Sequence, residues 1–118
     1  LAEATARMLA RKTRWTAAIA EALAQGDASV RLIRVLLLYV EQFGEAQGEE
    51  RYVLDWGLSQ SDLATLLGVR REWLNQILSK WQKRNLLILE EGKITIPSLP
   101  RVIATRDALV RKQRDTSG

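Results

Sequence analysis

The chain has 118 residues, 47% of them hydrophobic, with no cysteine, no histidine and a formal net charge of +4. That length and apolar content fit one compact domain, and the missing residue types exclude disulfides, thiolate or imidazole metal sites and histidine-based acid–base catalysis within it. No apolar run reaches the roughly 20 residues of a membrane-spanning helix, and the first residues lack the charged start and apolar block of a signal peptide, so a cytoplasmic protein with no membrane partner is expected.

The charge is uneven along the chain. Residues 1–50 carry 6 Lys and Arg against 7 Asp and Glu, whereas residues 51–118 carry 12 against 7, which places the whole positive excess in the second half. An anionic partner is expected there. The sequence starts at Leu1 inside a helical pattern and without an initiator methionine, and is therefore expected to be a fragment of a longer protein.

From Leu1 to about Gln25 there is neither proline nor glycine and alanine is abundant, which predicts a helix of six or seven turns. Leu1, Met8, Trp15 and Ala22 recur every seven residues, with Thr5, Lys12 and Ile19 between them. This is a coiled-coil seam with a polar interruption, and the competing expectation is a helix that packs on its own domain. Gly26-Asp27-Ala-Ser29 breaks this helix and offers Asp27 as the cap of the next, so it is a candidate hinge. From Val30 to Phe43 a helix apolar on most of its circumference is expected to form the buried centre of the domain.

Gly44 to Glu50 is polar and acidic and is expected to be a surface loop, with Arg51 to Leu54 as a short strand covering the elements that follow. Asp55-Trp56-Gly57 suggests no function. Ser59, followed three residues later by Asp62, resembles a capping box and starts a two-turn helix with Leu63, Leu66 and Leu67 on its apolar edge, ending at Gly68. After a brief link, Leu74, Ile77, Leu78 and Trp81 form the core stripe of a second helix. Its opposite face gathers Glu72, Asn75, Gln76, Ser79 and Lys83, with Arg71 and Trp73 at the flanks. These donors and acceptors suit base edges: arginine for guanine, asparagine or glutamine for adenine, glutamate for the cytosine amino group. A short helix, a glycine turn and a second helix of this kind predict a helix-turn-helix. The competing expectation is an ordinary helical hairpin with a solvated face.

Asn85 to Leu89, the turn Glu90-Glu91-Gly92-Lys93 and Ile94 to Ile96 read as strand, turn and strand, a hairpin placed where a wing would be. Pro97 ends the second strand, and Ser98 is expected to cap a last helix with Pro100 in its first turn and Leu99, Val102, Ile103 and Leu109 as apolar anchors. Its basic end, Arg111-Lys112 and Arg114, reads as a solvated tail. The expected fold class is mainly α with a small antiparallel β wing: residues 1–25 as a long helix with a coiled-coil seam, and residues 26–118 as a winged helix-turn-helix domain.

Leu63-Ala-Thr-Leu-Leu-Gly-Val-Arg-Arg-Glu, Ile77-Leu-Ser-Lys-Trp, Asn85-Leu-Leu-Ile and Gly92-Lys-Ile-Thr-Ile resemble, as a set, the DNA-binding domain of the cyclic-AMP receptor protein and fumarate-nitrate regulator (Crp/Fnr) family. The resemblance covers about Asp27 to Ile96. It implies a sequence-specific transcription regulator, not an enzyme, that binds double-stranded DNA as a homodimer through a near-palindromic site. Pairing would use the long helix, with Leu1, Met8, Trp15, Ile19 and Ala22 on the seam. An effector in the absent sensor, a cyclic nucleotide in some members, would reset the Gly26 hinge; no cofactor is implied for this chain. Thr13 and Thr16 lie where that helix approaches a cyclic nucleotide in the family. The loop bearing Glu45, Glu49 and Glu50 corresponds to one that touches RNA polymerase.

Residue by residue, Arg71 and Glu72 match the family's Arg-Glu pair, which makes Glu72 the first expected base contact. Gln76 stands where a guanine-reading arginine is common, so an altered preference at that base is expected. Arg70 replaces a usual capping serine and Trp73 a small hydroxyl residue. The DNA-binding set is then Glu72, Asn75, Gln76 and Ser79 for bases and Ser59, Gln60, Arg70, Arg71, Lys80, Lys83 and Lys93 for phosphates. A different class of function, a winged-helix module that binds protein through its Trp73 face and its acidic wing, is the alternative.

Overall fold

The computed structural model describes residues 14–24 and 26–117, with side chains to residue 114. Leu1, Met8 and Thr13 lie outside the described residues. Among these, α1 covers residues 14–24, followed by α2 (Ala28–Phe43), β1 (Glu45–Ala46), β2 (Tyr52–Leu54), α3 (Gln60–Leu67), α4 (Arg71–Lys83), β3 (Ile88–Glu90), β4 (Lys93–Ile96) and α5 (Leu99–Ser117). The four strands form one antiparallel sheet in the order β1-β2-β4-β3. The fold is mainly helical with a small sheet, as the sequence predicts.

Helix α2 is the centre. Its start is fixed by Asp27, whose carboxylate accepts from the Val30 N–H at 3.0 Å. Val30, Leu32, Ile33, Val35, Leu36 and Val40 are all buried, so the helix touches protein on most sides. Leu63 and Leu67 from α3, Leu74 and Leu78 from α4, Ile94 and Ile96 from β4 and Val102 from α5 close around it. Each fully buried side chain of this size contributes about 1.5–3 kcal/mol to holding the domain together.

Helix α1 lies against this core. Ala22 is buried within it and Ile19 and Leu23 pack against it. Trp15 stands edge-on to Tyr39, with ring centroids 5.2 Å apart, and to Phe43 at 5.5 Å. Three of the seam positions, Trp15, Ile19 and Ala22, thus face the chain's own interior. Asp55-Trp56-Gly57 acquires a role the sequence did not suggest. Asp55 accepts from the Gly57 N–H at 2.9 Å, and the resulting turn lays Trp56 edge-on to Tyr39 at 6.1 Å, extending the aromatic cluster.

Several local expectations are corrected. The expected loop 44–50 contains β1, because Glu45 and Ala46 find open partners in Val53 and Tyr52. Leu66 is 36% exposed, and Ala64 takes its place inside, since the buried edge of so short a helix is narrow. Asn85 to Leu87 are not strand: Asn85 is left-handed (φ 57°), and Leu86 and Leu87 turn into the core before β3 starts at Ile88. Ile103 is 36% exposed and anchors little. The Ser98 hydroxyl donates to Glu50 Oε2 at 3.2 Å, and Glu50's carbonyl accepts the Leu99 N–H at 2.9 Å, so the β1–β2 connection holds the start of α5.

Candidate nucleic-acid interface

The site is built from α3, a turn and α4. Ser59 caps α3 by accepting from the Asp62 N–H at 3.0 Å, as its spacing predicts. At the far end Gly68 adopts φ 70°, ψ 33°, a left-handed conformation that costs a side-chain-bearing residue about 1–2 kcal/mol. The Val69 N–H closes the turn on the Ala64 carbonyl at 3.0 Å. Arg70 then occupies the cap of α4 in extended conformation without a side-chain hydrogen bond to the helix. A serine would have bonded the open N–H groups there; the arginine leaves them, and its own guanidinium, facing solvent.

Helix α4 is anchored by Leu74, Leu78 and Trp81, all buried, with Ile77 half-buried beside them. The opposite face is the predicted one. Arg71, Glu72, Asn75, Gln76, Ser79, Lys80 and Lys83 are all exposed. None of their side chains has a hydrogen bond or ion pair within the described residues. Trp73 is half-buried at the edge of this face and packs on the core. With Gln76, Ser79 and Lys80 it lines a shallow concavity along the helix. Thirteen residues make a rod about 20 Å long, a length suited to lying in a groove about 12 Å wide.

The wing follows. Glu91 (φ 50°) and Gly92 (φ 79°) form a two-residue turn with both φ positive, the geometry that matches the twist of paired strands. The register pairs Ile88 with Thr95, Leu89 with Ile94 and Glu90 with Lys93. Lys93 is thus exposed at the tip next to two carboxylates, Glu90 and Glu91. Ser59 is exposed and Gln60 half-buried at the first turn of α3. The predicted phosphate residues therefore occupy four places: the start of α3, the two ends of α4 and the wing tip.

Two supports were missed by sequence reasoning. Gln82 Oε1 accepts from the Leu89 N–H at 3.4 Å and ties α4 to the wing, and Arg101 Nη2 donates to the Arg84 carbonyl at 3.0 Å and ties α5 to the end of α4. Neither residue type signals such a contact, because each partner is a backbone group brought near only by the fold.

Residues 30–104 match the family model described as the Crp-like helix-turn-helix domain. No curated protein sequence matches the chain. Among solved structures, a CooA mutant from Carboxydothermus hydrogenoformans superposes with a TM-score of 0.72 at 19% identity, covering 89% of this chain and 48% of that one. A CRP-family transcriptional regulator from Thermus thermophilus, TTHB099, gives 0.66 at 20% identity over 86% of this chain and 51% of its own. CprK complexed with o-chlorophenolacetic acid in its oxidised form gives 0.61 at 20% identity, with 67% and 33% covered. These likenesses are of fold, and the chain spans between a third and about half the length of these proteins.

Proposed function

Because the chain belongs to the family of Crp-like helix-turn-helix domains, we propose that it is the DNA-reading part of a transcription regulator that recognises a specific duplex sequence through α4. The observation that carries this reading is the outer face of α4: Glu72, Asn75, Gln76 and Ser79 present donors and acceptors without a partner in the described chain, on a helix held rigidly by Leu74, Leu78 and Trp81. A merely solvated helix needs no such mixture, whereas base edges do. Glu72 accepts from a cytosine or adenine amino group, Gln76 and Asn75 pair with adenine, and Arg70, Arg71, Lys80, Lys83 and Lys93, with the first turn of α3 at Ser59 and Gln60, position the backbone.

The regulator acts as a homodimer, with two copies of α4 about 34 Å apart on a near-palindromic site. The seven-residue repeat of Leu1, Met8, Trp15 and Ala22, with Ile19 between, supports pairing through the first helix. Since Trp15, Ile19 and Ala22 also face inward, the pairing surface extends to the exposed edge of Ala17, Ala20 and Ala24, whose small side chains let two helices approach closely. A sensor segment outside this chain controls the hinge at Gly26 by binding an effector, and the β1–β2 hairpin, with Glu45 in β1 and Glu49 and Glu50 in the connection, faces RNA polymerase.

Selection from a randomised duplex pool at two salt concentrations tests the proposal. A palindromic motif whose affinity falls steeply with salt is expected. The second reading, a protein-binding winged helix, is favoured by the half-buried Trp73 and by Glu90 and Glu91 at the wing tip; it requires no enrichment at either salt, with the longer protein as well as with this chain.

A further inference from the structure

Helices α1 and α2 meet at Gly26, whose φ is +96°. A Cβ on this residue would lie 2.8 Å from Val30 Cγ1 and 3.2 Å from Gln113 Oε1, so the joint accepts glycine and little else. The joint is held from two sides. The Asp27 N–H donates to Gln113 Oε1 of α5 at 3.0 Å, and Arg31, one turn into α2, donates from Nη1 to the Gly26 carbonyl at 2.8 Å. The other terminal nitrogen of Arg31, Nη2, donates to the carbonyl of Leu67 at 3.2 Å, 36 residues away. Leu67 is the last residue of α3, and its carbonyl is one of the helix-end acceptors that no intrahelical N–H reaches. The neighbouring turn bonds go elsewhere, from Gly68 to Thr65 and from Val69 to Ala64.

One planar guanidinium therefore holds two backbone carbonyls, the hinge and the end of α3, at a fixed separation. Its charge also suits the negative end of α3. Displacing the Gly26 carbonyl must either pull the Leu67 carbonyl with it or leave one of two partly buried acceptors without its donor, at about 1–3 kcal/mol. Leu67 stands three residues before Arg70, the cap of α4. A tilt of about 10° at that point moves the far end of a helix about 20 Å long by about 3 Å, enough to break hydrogen bonds to bases.

We infer that Arg31 is the positioning residue that couples the Gly26 hinge to the turn of the helix-turn-helix, and so sets the angle of α4 for DNA reading; this rests on the reading of α4 as the DNA-contacting helix. The test uses the whole 118-residue chain with Gly26→Ala, Arg31→Lys and the double variant, read by amide resonances and by affinity for the selected duplex. Lysine keeps the charge, but its single ammonium cannot hold both carbonyls in the fixed fork of a guanidinium. Gly26→Ala is expected to shift the amides of Leu67 to Arg70 when Arg31 is present, and to shift them at least threefold less in the Arg31→Lys background. The loss of DNA affinity caused by Gly26→Ala is expected to shrink in parallel.

If Gly26→Ala does not fold, Gln113→Ala, which removes the acceptor of the Asp27 N–H and leaves the glycine in place, is read in the same way. Amides of Leu67 to Arg70 that stay still on hinge substitution, or that move equally in both Arg31 backgrounds, overturn the coupling. So does amide coupling accompanied by equal affinity losses in the two backgrounds. The DNA reading fails separately, if neither the wild-type chain nor the longer protein binds any duplex, and the amide comparison would still decide whether the hinge and turn are linked.

Discussion

Replacing Gln76 with arginine tests the recognition face at its most distinctive position. Gln76 is exposed and has no partner within the described chain, so the substitution removes no packing and no hydrogen bond. It places an arginine one turn after Glu72, a pairing worth about 0.2–0.5 kcal/mol on a helix surface, so the melting temperature is expected to hold or rise by at most about 4 °C. The effect on reading is larger. Glutamine pairs with adenine N6 and N7, arginine with guanine O6 and N7, and each good bidentate pair discriminates by about 1–3 kcal/mol. Gln76→Arg should therefore turn the preference at the contacted base from adenine to guanine by roughly 5- to 150-fold per half-site, and by the square of that factor in a symmetric dimer. Competition binding with duplexes differing only at that base, for both proteins, measures the switch. Identical preferences for the two proteins, or a strong guanine preference already present with Gln76, would refute the assignment of this side chain to a base.

Four further outcomes are expected. Ser59→Ala removes the hydroxyl that accepts from Asp62 N–H and should cost about 1 kcal/mol, seen in thermal melts as a fall of about 4–8 °C. Arg70→Ser should do the opposite for α4, supplying the missing cap and adding about 0.5–1 kcal/mol of stability, while DNA affinity falls at low salt. Lys83→Gln should weaken binding to all sequences alike and make the slope of log affinity against log salt shallower by about 0.9, from about −4.5 for five phosphate-contacting cations per domain to about −3.6 for four. Leu74→Ala, at a fully buried position, should cost about 2–5 kcal/mol in denaturant titration, because little around α4 can collapse into the space.

Much of this protein is local and was therefore legible. Asp27 and Ser59 cap helices because their short oxygens reach N–H groups three residues ahead, and Gly68 ends α3 because only glycine adopts that turn at no steric cost. The stripe of Leu74, Leu78 and Trp81 dictates which face of α4 is turned out, and hence that Glu72, Asn75, Gln76 and Ser79 share that outer surface. What tertiary structure alone decided concerns backbone groups and faces whose partners are distant in sequence. β1 exists because Tyr52 and Val53 offer open hydrogen-bonding edges, and Trp56 is useful because Tyr39 is beside it. Trp15, Ile19 and Ala22 repeat as a seam would, yet periodicity says only that they share a face, and the structure turns that face towards α2. Arg31 looks like a solvated charge on an apolar helix, and it reaches the hinge and the end of α3 only because α2 crosses beside both. Periodicity and capping act within a few residues, whereas a carbonyl 36 residues away becomes a neighbour only when the chain has folded.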